Sequence, residues 1–141
     1  MTGFDSLVRI SRWQLDEKRQ KLTELERLVE RLQGDLTRLD EGVASEQRLA
    51  ERDDMARQAY PAFLKSEMDR RKRLQKSIAD VEKEIEAVRE EVADAFRELK
   101  KYEMAQANEL QRVRARRERA DQQRTDELGA QLHRRQRGER K

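Results

Sequence analysis

Apolar residues in this 141-residue chain recur in alternating steps of four and three along two long stretches, the seam period of a left-handed coiled coil. The first stretch runs Phe4, Val8, Ser11, Leu15, Lys18, Leu22, Leu25, Val29, Leu32, Leu36, Leu39, Val43, and ten of its twelve positions are apolar. With 35% of the chain hydrophobic, about four would be expected by chance. The second runs Tyr60, Leu64, Glu67, Arg71, Leu74, Ile78, Val81, Ile85, Val88, Val92, Ala95, Leu99, Tyr102, with eleven of thirteen apolar. Neither register slips. A helix bearing such a stripe gains little stability from propensity alone, so each stripe must be covered by another helix.

Composition points the same way. Charged residues make up 45% of the chain and aromatics 4%, against roughly 25% charged in ordinary globular domains. Thirty-three Lys and Arg against thirty Asp and Glu give a net charge of only +3, so the charges are mixed, as on solvated helix faces. Five Gly and one Pro leave too few turn residues for an all-β or α/β architecture. The absence of Cys excludes disulfides, thiolate metal sites and a cysteine nucleophile. The opening Met1-Thr2-Gly3-Phe4-Asp5 does not resemble a secretory signal, and no apolar run approaches the ~18 residues of a membrane span. The expected compartment is the cytoplasm.

Between the two stretches the seam register places Glu46, Ala50 and Asp53 inward, and the same segment holds Gly42, Asp53-Asp54 and Pro61. A chain break is expected here, with Pro61 suited to the first position of the second helix. If the stretches fold back on each other, Phe4 and Tyr102 become neighbours and their midpoint is residue 53. The expected fold is therefore all-α, an antiparallel two-helix coiled-coil hairpin over 1–104 with its tip within 45–61. Residues 105–141 hold eleven basic and six acidic residues, a net of +5, which leaves −2 for residues 1–104. They are expected to form a basic C-terminal helical overhang, fraying or disordered at its end. A monomer closed in cis is preferred on the matched lengths of the two stretches, although an extended dimer would use the same seam.

Nothing in the chain suggests catalysis. His133 is the only histidine, and no phosphate loop, carboxylate pocket or metal-spaced cluster is present. We therefore expect no enzyme activity, no cofactor, no metal and no small-molecule substrate. Helically spaced charges such as Glu86 and Arg89 form a solvated surface. The Arg112-Val113-Arg114-Ala115-Arg116-Arg117-Glu118-Arg119 run suits protein docking through Arg112, Arg114, Arg116, Arg117 and Arg119. Nucleic acid is the less favoured partner, because the run follows the heptads and lacks aromatic platforms. Leu7, Ile10 and Trp13 lie off the seam and are candidate exposed anchors; Phe63 lies beside seam residue Leu64.

Three segments carry a family likeness: Phe4-Asp5-Ser6-Leu7-Val8-Arg9-Ile10 leading to Leu15-Asp16-Glu17-Lys18-Arg19; Tyr60-Pro61-Ala62-Phe63-Leu64; and the run Ile78, Val81, Glu82, Ile85, Arg89. In these residues and their order the chain resembles the FliJ family of the flagellar type III export apparatus, across nearly its whole length. The resemblance implies a monomeric hairpin similar to the central stalk of rotary ATPases, at the cytoplasmic face of the inner membrane. It implies association with the export ATPase FliI, the export gate protein FlhA and export chaperones. By position, gate binding would fall to Tyr60, Phe63 and Leu64. The family often carries a further aliphatic residue four positions after Phe63, where this chain has Glu67; Met68 or Leu74 would then substitute. The basic residues from Arg112 onward would meet an acidic lining of the ATPase ring. The stalk protein of a virulence secretion system has the same pattern. A homodimeric scaffold rod and a nucleic-acid-associated coiled coil acting through the arginines are the alternatives from other classes.

Overall fold

The computed structural model describes residues 3–139, with the side chains of 3–138. Two helices account for nearly all of them: α1, Asp5–Ala50, and α2, Asp54–Glu139. They pack against each other as an antiparallel hairpin. The chain divides into two compact units, Trp13–Phe96 and Met1–Arg12 with Arg97–Lys141.

In the unit Trp13–Phe96, α1 ends and α2 begins across three residues, 51–53. The N–H groups of Arg52 and Asp53 both donate to the carbonyl of Leu49 at 3.0 Å. The Asp53 side chain then accepts from the N–H of Met55 at 2.9 Å, and its carbonyl accepts from Arg57 at 2.9 Å. Asp53 is thus an N-cap, satisfying one of the donors that a helix start leaves unpaired. No described residue has positive φ, so the reversal needs no glycine. The cap explains why α2 starts before Pro61, which lies inside the helix rather than at its first position. Nucleation by Asp53 sets the helix start, and the proline is carried along in the second turn.

The seam positions of this unit all avoid full exposure. Leu15, Leu39, Ile85 and Val88 are buried, Val88 to 1% relative exposure, and Ala50 closes the tip. Burying each large aliphatic side chain is worth roughly 1.5–3 kcal/mol. The polar interruptions of the repeat find partners across the hairpin: Lys18 Nζ lies 3.1 Å from Glu91 Oε2, and Arg71 Nε lies 2.9 Å from Asp40 Oδ1. From Lys18–Glu91 to Asp40–Arg71 the α1 number rises as the α2 number falls, which is antiparallel pairing. Glu67 pairs instead along its own helix, 3.8 Å from Arg70.

In the other unit Val8, Ser11 and Leu99 are buried. Ser11 fits because its side chain is small, so the helices approach without displacing a larger group. Phe4 offers its carbonyl to Val8 N–H at 2.9 Å, opening α1, and Asp5 in the first turn complements the helix dipole. Gln106 Nε2 donates to Asp5 Oδ1 at 2.6 Å, and Arg12 stands 3.8 Å from Glu103. The cross-helix contact thus extends one turn past Tyr102, and Gln106, Glu109 and Val113 remain half-buried.

Candidate interaction surfaces

Tyr60, Phe63 and Leu64 stand in the first turns of α2. Tyr60 and Leu64 occupy seam positions four apart, and Phe63 precedes Leu64, so it lies on the flank of the seam. All three are half-buried. The rings of Tyr60 and Phe63 are 6.5 Å apart between centroids and tilted by 37°, within the range of favourable aromatic pairs. Phe63 also lines a shallow groove with Leu39 and Gly42 of α1, edged by Asp35, Arg38, Glu67 and Arg70. A Cβ at Gly42 would meet nothing within 4 Å, so the groove stays open on that side. The groove edge is charged by the ion pairs Arg38–Asp35 and Arg70–Glu67. Glu67 is therefore part of this rim, not an extension of the apolar surface.

Arg112, Arg114, Arg116, Arg117 and Arg119 are all exposed on α2. Among the described residues none of the five guanidinium groups pairs with a carboxylate. At about 100° per residue, Arg112, Arg116 and Arg119 fall on one side of the helix and Arg114 and Arg117 on the other. Positive charge therefore surrounds the helix instead of forming a stripe.

Leu7, Ile10 and Trp13 are exposed on α1, Trp13 to 61%. Exposed large apolar residues beyond these three include Leu110, Leu128 and Leu132 on α2, with Met55 beside the tip. The signal was available: all three leucines depart from the seam register, and positions 110 and 128 are five helical turns apart on the same face.

Tyr102 donates its hydroxyl to Glu98 Oε1 at 3.1 Å. That hydrogen bond, reinforced by the negative charge of Glu98, raises the phenol pKa above its ordinary value. Arg71 is held more firmly protonated by its hydrogen bond to Asp40 and by the charge of that carboxylate. Both are surface contacts that orient side chains, and neither makes a proton donor or acceptor suited to neutral-pH chemistry.

Among the described residues no His, Asp and Glu cluster could hold a metal ion, and no helix is long and apolar enough to cross a membrane. A helical hairpin with charged flanks and exposed aromatic, aliphatic and arginine groups defines a class of protein that works by binding others. Its family follows from a second finding: residues 1–138 match the flagellar FliJ protein family, and the chain belongs to it. The family is non-catalytic and is a component of the flagellar export apparatus, so this chain is associated with that machinery. No curated protein and no solved structure matches the chain.

Proposed function

We propose that this protein is a stalk-like element of the export apparatus, binding the ring of the export ATPase FliI and coupling it to the gate protein FlhA and to export chaperones. The unpaired arginines surrounding α2 at 112–119 carry this reading. A helix in a DNA groove contacts bases and phosphates mainly with one side, whereas positive charge all round is suited to an enclosing acidic lining. Such charge contributes orientation and fast association more than affinity. Tyr60, Phe63 and Leu64 serve the gate protein, because a half-buried aromatic pair with an aliphatic neighbour offers an apolar contact at a charged rim. The protein acts as a monomer at the cytoplasmic face of the inner membrane, and its hairpin, residues 1–104, has membrane association only through its partners.

The experiment measures ATP hydrolysis and ring assembly of the cognate FliI with and without this protein. Wild type stimulates both; a variant with Gln at 112, 114, 116, 117 and 119 loses the stimulation. Phe63→Ala keeps it while losing binding to the cytoplasmic part of FlhA. Absence of stimulation by wild type, or full stimulation by the five-Gln variant, overturns the ring assignment.

A further inference from the structure

Beyond the arginines at 112–119, α2 presents a second surface. Leu128 and Leu132, 60% and 59% exposed, lie one turn apart on the same face. At about 100° per residue, Arg124 and Arg135 fall within about 40° of Leu128 on that face, interleaved with the leucines. Arg134 lies about 120° round the helix from Leu128 and Arg137 on the opposite face, and all four arginines are exposed. None of them pairs with a carboxylate among the described residues.

Such an arrangement discriminates between occupants. A hydrophobic groove on a protein would have to desolvate Arg124 and Arg135 along with the leucines, and a burial of that kind is costly without paired acids. Nucleic acid would neutralise the arginines but leave two exposed leucines with no apolar surface to enter. A second helix would need a continuous apolar repeat, and Asp121, Arg124 and Arg135 interrupt this face. An anionic lipid surface satisfies both groups at once. Leucines enter the boundary between headgroups and acyl chains, while arginine stems lie along them and carry the guanidinium groups to phosphates.

We propose that the 124–137 segment of α2 is a docking surface for anionic membrane lipid, separate from the arginines assigned to the ATPase. The segment lies in the plane of the interface, with Leu128 and Leu132 inward and Arg124 and Arg135, beside them on that face, binding lipid phosphate. It holds the protein at a membrane surface without spanning it.

The test is co-sedimentation of the full chain with vesicles of equal parts phosphatidylglycerol and phosphatidylcholine, compared with phosphatidylcholine alone. Two variants are used, Leu128→Ala with Leu132→Ala, and Arg124→Gln with Arg135→Gln; both replacement types favour helix, and circular dichroism confirms retained helicity. Wild type is expected to bind the anionic vesicles only. The Gln variant should weaken binding by about thirtyfold, and the Ala variant by about tenfold or more. No binding by wild type, equal binding to neutral vesicles, or full binding by either variant overturns the proposal. Wild-type preference for a duplex DNA competitor that survives the Ala variant also overturns it, in favour of a nucleic-acid surface.

Discussion

Arg57 reaches back across the hairpin turn to Ala50: its Nε donates to the Ala50 carbonyl at 3.1 Å and its Nη2 to the Glu51 carbonyl at 3.2 Å. The last carbonyls of a helix have no partner within it, and here a side chain from the start of α2 supplies donors to the end of α1. The same guanidinium touches Asp54 at 3.3 Å, so one residue joins both sides of the turn.

Replacing Arg57 with Gln is therefore expected to lower stability by about 1 kcal/mol, the usual net worth of such hydrogen bonds. Urea unfolding would register it as a lower midpoint at unchanged slope. An unchanged midpoint would mean that water serves these carbonyls equally well.

Pro61 sits inside α2, where it has no N–H to give to the Arg57 carbonyl one turn earlier. It is exposed, so Ala fits without repacking. Pro61→Ala should raise stability by about 1–3 kcal/mol. A lower melting temperature in this variant would show that the proline serves the local helix path.

Burial separates two aliphatic positions on the same helix. Ile85 is buried and Leu128 is exposed, so Ile85→Ala should cost about 2–4 kcal/mol while Leu128→Ala stays within about 0.5 kcal/mol. Paired denaturation curves check this; equal losses would place Leu128 in a packed interface.

Tyr102 sets a pH dependence. Its neutral hydroxyl is the form bonded to Glu98, and its pKa is raised by that bond and by the Glu98 charge. The stabilisation is present below the ordinary tyrosine value of about 10 and is lost as pH rises through the raised one. In a Tyr60→Phe background Tyr102 is the only tyrosine, and tyrosinate absorbance reports it alone. Adding Glu98→Gln should move the titration to lower pH. No movement would show that the contact is absent in solution.

The hairpin was legible because the apolar repeat holds its register: each of the twenty-five seam positions, polar ones included, is buried or half-buried. Of the candidate interaction residues, Leu7, Ile10 and Trp13 could be recognised as exposed because they miss that register. Leu128 and Leu132 miss it too, but were obscured by the charge around them. Pro61 suits a helix start but lies inside α2, because the cap at Asp53 begins the helix eight residues earlier and a side-chain cap cannot be read from periodicity.

Local periodicity thus sufficed for two long helices with a buried stripe on each, since a 3.5-residue repeat is a property of neighbours along the chain. The tertiary structure alone decided that Lys18 meets Glu91, that Arg71 meets Asp40 and that Arg57 closes α1. It also decided which seam residues reach full burial, as Val88 does and Leu22 does not. Those outcomes depend on which turn of one helix lies opposite which turn of the other. That alignment is a long-range quantity, set by the turn geometry and the packing of both helices together.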